Sequence, residues 1–324
     1  MKDHKPYICI LDALTTNPGD LSWSALQNIS FVDVFDRTAP EELLERAKGK
    51  EILITNKVNL TEDLLSKLPE CKLICLLSTG TNAVDLDFCK KKAIPVCNIP
   101  AYSTDSVAEL VLAFLLEWAK GVSTHSDAVR QGAWTKSKDF SFTLTPQREL
   151  KGMTLGLVGF GSIAQAVCRI AIALGMNVLS YTPNPQDKPD LGQEFTDLDT
   201  LVSRSQILSL HCPLTGQTDG IIDKNRLSQM PKGSVLVNTG RGGLLQEQDV
   251  ADALSSGHLS AACLDVLSTE PPQADNPLLQ APNAMITPHI AWATQAARSR
   301  LIDILTGNVQ AYLTGNPTHV VNGL

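Results

Sequence analysis

The feature that most constrains this chain is a glycine-rich turn, Gly156-Leu-Val-Gly159-Phe-Gly161-Ser-Ile-Ala164. It follows an apolar run over 153–158 and opens a segment, 162–174, in which Ile163, Val167, Ile170 and Leu174 recur at helical spacing. Gly175 ends that helix, and a second strand, 177–181, follows directly. The letters alone are weak evidence, but a complete strand–turn–helix–strand unit around them is specific. Gly159 permits the tight turn, Gly161 lets the backbone approach a pyrophosphate, and Ala164 is small enough for close packing of helix on sheet. Unpaired amides and the dipole at the helix start, where Ser162 and Ile163 sit, favour phosphate oxygens.

Around this unit, strand-like runs alternate with helical periods, which predicts an α/β chain with parallel sheet. After the turn the strand signals are 178–181, 207–212, 234–240, 261–266 and 283–289, enough for one doubly wound sheet. Before it, strands are expected over 7–11, 52–55, 73–77 and 94–98. A helix over 61–68 opens with Thr61 as N-cap and Glu62 and Asp63 in its first turn. A long helix is expected over 104–121, with Val107, Leu110, Val111, Phe114, Leu115 and Trp118 on its apolar side and Gly121 as C-cap. Residues 131–149 read as an irregular surface segment, and a last helix spans 294–312.

Composition narrows the function classes. The 324 residues are 43% hydrophobic and 19% charged, with a net charge of −7. That balance excludes a chain built to coat nucleic acid or an anionic membrane, while leaving room for a basic pocket. The most apolar longer run, 107–119, carries Glu109 and Glu117 and falls short of the roughly 20 residues that span a bilayer. The N-terminal apolar run, Tyr7 to Leu11, stops at Asp12 and is too short for a signal-peptide core. A soluble, cytoplasmic protein is expected. The 8 cysteines, at 9, 71, 75, 89, 97, 168, 212 and 263, form no CxxC pair or zinc-type spacing, so no metal site is expected and the thiols read as small core hydrophobes.

Three strands of the second half end in polar residues of complementary chemistry. SVLVNTG leads to Arg241, AACLDV leads to Glu270, and NAMITP leads to His289. Carboxyl ends of parallel strands line the ligand crevice, so the three can converge. A guanidinium fork suits a substrate carboxylate and carbonyl oxygen. An imidazole suits proton transfer to that oxygen, and a carboxylate on its other nitrogen would orient it. Reduction of a 2-keto acid fits this set. Each residue taken singly also fits a structural histidine, an exposed turn or a surface contact; their order behind the glycine turn argues against coincidence. His211 ends a strand and can approach the cofactor, whereas His4, His125, His258 and His319 have no such support. The second strand of the unit ends in Tyr181-Thr182-Pro183 rather than the acid that usually binds a ribose hydroxyl, and Lys188 is the nearest basic residue. NAD(H) is favoured, with NADP(H) as the alternative.

With these motifs in hand, the sequence resembles the D-isomer-specific 2-hydroxyacid dehydrogenase family over nearly its full length. The stretches that carry the resemblance are LLSTGTNAVDL (76–86), YSTDSVAELVLAFLLE (102–117), LKGMTLGLVGFGSIAQAV (150–167), LHCPLTGQT (210–218), VNTGRGGLLQEQDV (237–250), LDVLSTEPP (264–272) and TPHIAWAT (287–294). The resemblance implies catalytic Arg241, Glu270 and His289, and carboxylate binding around Ser78, Thr79 and Gly80, with Trp292 limiting the substrate pocket. It places Thr104, Ser162, Ile163, Thr182, Cys212, Pro213, Thr218, Thr239, Gly240, Asp265 and His289 at cofactor-lining positions, with Asp265 orienting the nicotinamide carboxamide or Arg241. It implies two Rossmann-like domains: a discontinuous, flavodoxin-like substrate domain, 1–101 and 292–324, and a dinucleotide-binding domain, 102–291. The helix 104–121 region would form a homodimer. YSTDSVAE, RQGAWTKSKDFSF (130–142) and HIAWAT are similar to glycerate dehydrogenases, also called hydroxypyruvate reductases. Departures from the pattern are Ala164 for the third glycine, Thr182 for the acid and Gly240 for a common alanine. Other expected readings are a lactate or branched-acid dehydrogenase and a non-enzymatic NAD(H)-sensing protein. Formate dehydrogenase fits less well, since it uses glutamine where Glu270 stands.

Overall fold

The computed structural model describes residues 5–324, so His4 lies outside the described residues. The chain divides into two compact units, one of residues up to Ser103 with Ala293–Leu324 and one of Thr104–Trp292.

The first unit is built on a parallel sheet of β1 (Tyr7–Ile10), β2 (Phe31–Val34), β3 (Ile52–Thr55), β4 (Leu73–Leu76) and β5 (Val96–Cys97), in the order β2-β1-β3-β4-β5. That is the flavodoxin order. β3 and β4 are buried along their whole length, as continuous apolar runs in a sheet covered on both faces must be. Helices α1 (Ser24–Ile29), α2 (Pro40–Ala47), α3 (Glu62–Leu65) and α4 (Leu86–Lys91) connect the strands. Thr61 caps α3 by accepting from the Leu64 amide, but the helix is a single turn rather than the expected 61–68. β2 was not expected from the sequence. It is an edge strand whose side chains are largely exposed, so it lacks an apolar pattern, and Phe31 instead stacks on Tyr7 at 5.1 Å. The C-terminal helix, Gln295–Leu313, returns to this unit, packs beside β4 and buries Leu301, Leu305 and Val309. Its buried Arg298 forms a forked pair with Asp20, both contacts at 2.7 Å.

The second unit opens with α5 (Thr104–Lys120) and α6 (Val122–Arg130). α6 was not expected; it buries no residue, so no apolar stripe announces it. Gly121, between the two helices, has φ of +57°. β6 (Thr154–Val158), α7 (Ser162–Ala173), β7 (Asn177–Tyr181) and β8 (Glu194–Phe195) follow, then α8 (Leu198–Arg204), β9 (Ile207–Leu210) and α9 (Lys224–Gln229). β10 (Ser234–Asn238), α10 (Glu247–Ser255), β11 (Leu259–Leu264) and β12 (Ala284–Ile286) complete it. All strands are parallel in the order β12-β11-β10-β9-β6-β7-β8, so the winding reverses between β6 and β9.

Alternation along each strand feeds two cores. Leu155, Leu157, Val235, Val237 and Cys263 face α5 and α7; Val158, Leu208, Leu210, Leu236 and Leu264 face α8, α9 and α10. The buried face of α7 differs from expectation. It is Ala164, Val167, Cys168 and Ala171, while Ile163 and Ile170 are half-buried and Leu174 is exposed. The small alanines let α7 pack closely against α5, and the larger residues turn to the margin. Burial pushes the Cys9 and Cys71 thiols up to about 12, so these are neutral core groups. No helix among the described residues is long and apolar enough to cross a membrane.

Candidate active site

The carboxyl edge of the second sheet gathers most of the residues singled out in the sequence. At its centre is the turn between β6 and α7. Gly159 has φ of +93°, and a Cβ there would stand 2.8 Å from backbone atoms of His211 and Cys212. Its amide also donates to the Tyr181 carbonyl at 2.8 Å, tying the turn to the end of β7. Gly161 is different. A Cβ there would meet nothing within 4 Å, so its bare backbone faces open space at the start of α7. An open approach to unpaired helix amides fits a dinucleotide pyrophosphate. Ser162 and Ile163 stand in the first turn of α7.

The neighbouring strand ends surround this turn. Thr182 follows β7, where neither acid nor arginine is present. His211, Cys212 and Pro213 follow β9, and Thr239 and Gly240 follow β10. The buried Thr239 Oγ1 has no hydrogen-bond partner, a polar atom left over by the protein itself. Thr218 closes its own loop, its hydroxyl donating to the Pro213 carbonyl at 2.6 Å and accepting from the Thr215 amide. Burial pushes the His211 imidazole down to about 4, and its Nε2 lies 2.9 Å from Ser209 Oγ. Thr104 is the first residue of α5.

Arg241, Glu270 and His289 come from loops after β10, β11 and β12, three adjacent strands. His289 Nδ1 and Glu270 Oε2 are 2.6 Å apart, and Glu270 Oε1 also accepts from the Leu267 amide at 3.2 Å. The carboxylate is therefore fixed at both oxygens, which leaves Nε2 of the ring for other chemistry. Arg241 is exposed, and its Nη1 donates to the Gly240 carbonyl at 2.8 Å. Buried Asn238 holds that loop, donating to the Arg241 carbonyl and accepting from the Gly240 amide. Gly242 then lies against the loop that carries Glu270: a Cβ there would stand 1.9 Å from the Leu267 carbonyl carbon. This backbone contact joins the Arg241 and Glu270 loops. In the sequence its visible trace is the Arg241-Gly242-Gly243 run behind a strand.

Asp265, at the end of β11, is buried and takes up the His289 loop. Its carboxylate accepts from Thr287 Oγ1 at 2.5 Å and from the Ile290 and Ala291 amides, each at 2.8 Å. Its carbonyl accepts from the His289 amide at 2.9 Å. Both carboxylate oxygens are thus engaged by residues 287–291. Trp292 closes the second unit and is half-buried. Ser78, Thr79 and Gly80 belong to the first unit, after β4. There Ser78 Oγ donates to the Gly80 carbonyl and Thr79 Oγ1 to the Ile99 carbonyl, both at 2.7 Å. Among the described residues, no group of three or more His, Cys, Asp or Glu side chains could hold a metal ion.

Comparison with known proteins agrees with this architecture. Residues 112–291 match the NAD-binding domain of the D-isomer-specific 2-hydroxyacid dehydrogenases. A hydroxypyruvate reductase of Blautia hydrogenotrophica is 43% identical over 321 residues, covering 97% of this chain and 99% of the relative. A glycerate dehydrogenase of Methylorubrum extorquens is 38% identical, covering 87% and 88%. Among solved structures, an acyclic imino acid reductase in complex with NADPH and D-Arg superposes with a TM-score of 0.85 at 28% identity, over 97% of this chain and 99% of the other. The chain belongs to the D-isomer-specific 2-hydroxyacid dehydrogenase family. It is an oxidoreductase that acts on 2-hydroxy acids with a nicotinamide cofactor.

Proposed function

We propose that the chain interconverts hydroxypyruvate and D-glycerate, with His289 as the proton-transfer group. The observation that carries this reading is the 2.6 Å contact between His289 Nδ1 and Glu270 at the carboxyl edge of the cofactor-binding sheet. The substrate follows the names of the two relatives, a hydroxypyruvate reductase and a glycerate dehydrogenase. When bound, the nicotinamide supplies the hydride that adds to C2 of the keto acid. Arg241 binds and polarises the substrate through its forked donors. His289 Nε2 gives a proton to the carbonyl oxygen, while Glu270, on Nδ1, fixes the orientation of the ring. In oxidation the same nitrogen takes the proton back. Ser78, Thr79 and Gly80 supply carboxylate contacts, and Trp292 limits substrate size.

For the cofactor, Gly159, Gly161, Ser162 and Ile163 hold the pyrophosphate, with Thr104, Thr182, His211, Cys212, Pro213, Thr218, Thr239, Gly240, Asp265 and His289 around it. NAD(H) is the preferred form. The missing acid at Thr182 leaves NADP(H) accepted as well, as the NADPH complex of the imino acid reductase supports. A homodimer is proposed through the region of α5, where Leu116 is exposed, as are Val122 and Val129 on α6 next to it in the chain. Steady-state rates with hydroxypyruvate, glyoxylate, pyruvate and a branched keto acid, each with NADH and NADPH, test the proposal. The highest kcat/KM is expected for hydroxypyruvate; turnover of the branched acid alone would refute it.

A further inference from the structure

We propose that the first unit carries a second ligand site, for a small hydroxylated organic phosphate, at the carboxyl ends of β1, β2 and β3. A hollow of about 470 Å³ opens there, within the range of small-molecule sites. It sits where the order of the first sheet reverses, between β1 and β3. Strand connections leave such a switch point in opposite directions, and the crevice between them is where open α/β sheets bind ligands.

The lining sets the chemistry. Arg37, after β2, and Lys57, after β3, both face the hollow, and neither side chain has a polar partner among the described residues. Of the two carboxylates there, Asp12 is used by the protein. It accepts from the backbone amides of Asn56 at 2.8 Å, Lys57 at 2.6 Å and Val58 at 3.2 Å. Those bonds also fix the backbone from which Lys57 extends. A free guanidinium and a free ammonium in one small hollow match a dianion. Asp36, exposed beside Arg37, disfavours a bare anion and can accept from a hydroxyl, so it selects a phosphate ester bearing hydroxyl groups. Leu14, Pro40 and Val58 provide an apolar wall for a short carbon chain. Arg241, Glu270 and His289 belong to the other unit, so this site is distinct in its residues from the one that reduces the keto acid.

Calorimetric titration of the full chain with glycerol 3-phosphate, and separately with inorganic phosphate, reads binding without turnover, so its outcome is independent of the proposed reaction. Saturable binding of glycerol 3-phosphate is expected, weakened about tenfold or more in Arg37→Gln and in Lys57→Gln and retained in Lys57→Arg. Both side chains are exposed, and melting temperatures equal to the parent's would establish that the variants fold. No saturable binding up to about 10 mM, or unchanged affinity in both glutamine variants, would overturn the site. Inorganic phosphate binding as tightly as the ester would overturn the assignment of a hydroxylated ligand.

Discussion

Substituting Gly242 by alanine should disable the enzyme through a clash of backbone with backbone rather than through loss of a side chain of the site. A Cβ at Gly242 would lie 1.9 Å from the Leu267 carbonyl carbon, 2.1 Å from its oxygen and 2.2 Å from the Ser268 nitrogen. These are backbone atoms, so no side chain can swing away. Restoring ordinary contact needs a separation near 3.4 Å, which moves the loops apart by well over 1 Å. The displaced segments carry Arg241 on one side and, through the Leu267 amide bound to its carboxylate, Glu270 on the other. A misplacement of about 1 Å between reacting groups costs on the order of a hundredfold in rate. Overpacking of this kind also costs about 1–3 kcal/mol, or roughly 2–10 °C in melting temperature for a unit of this size. The assay is steady-state oxidation of reduced nicotinamide with hydroxypyruvate, beside a thermal melt and a cofactor titration. We expect kcat to fall about a hundredfold, with cofactor affinity largely kept because the β6–α7 turn is untouched. A kcat within about threefold of the parent would show that the two loops do not depend on this contact.

Two further outcomes follow from the same geometry. Gly161→Ala places its methyl group in open space at a negative φ, so the melting temperature should hold while the cofactor KM rises about tenfold or more; unchanged cofactor binding would move the pyrophosphate away from this turn. His211 titrates at about 4 in the fold against 6.5 when exposed, because burial disfavours the charged ring. The unfolded chain therefore binds more protons below about 6.5, and up to about 3 kcal/mol of stability is lost as pH falls from there to about 4. His211→Gln should flatten the pH dependence of the melting temperature across that window, and an identical slope in parent and variant would refute the assignment.

The parts of this fold legible in the sequence are those written in short-range pattern. The 153–181 unit announces itself because glycine, alanine and apolar spacing all act within one strand–turn–helix element. The strands leading to Arg241 and Glu270 were visible because buried parallel strands are continuous apolar runs that stop abruptly, and the half-buried edge strand before His289 because its short apolar run ends at a proline. What stayed hidden depends on neighbours distant in sequence. β2 and β8 are short edge strands with little buried surface, and α6 buries nothing, so neither periodicity nor composition marks them. Helical spacing in α7 identified the helix and part of its packed face, Val167 with Ile163 and Ile170 at its margin, but missed Ala164, Cys168 and Ala171 and included the exposed Leu174, because large residues outweigh the small ones that make the closest contact. The Gly242 contact and the three bonds to Asp265 join segments more than twenty residues apart, and spacing alone does not reveal them.

Those bonds explain how the imidazole is held where it is. His289 has φ of +55°, a left-handed conformation that costs a non-glycine residue about 1–3 kcal/mol and persists only when its surroundings impose it. Asp265 imposes it from the end of β11, with its carbonyl on the His289 amide and its carboxylate on the Thr287 hydroxyl and the next two amides. Glu270 grips the ring itself and lies on the loop leaving that same strand. Backbone and side chain of His289 are thus referenced to one rigid element in the middle of the β10-β11-β12 group, which also adjoins the Arg241 strand. A backbone strained in this way gains nothing for folding, so its retention at His289, whose ring is paired with Glu270, argues that ring placement, rather than local stability, is what this loop is built to secure.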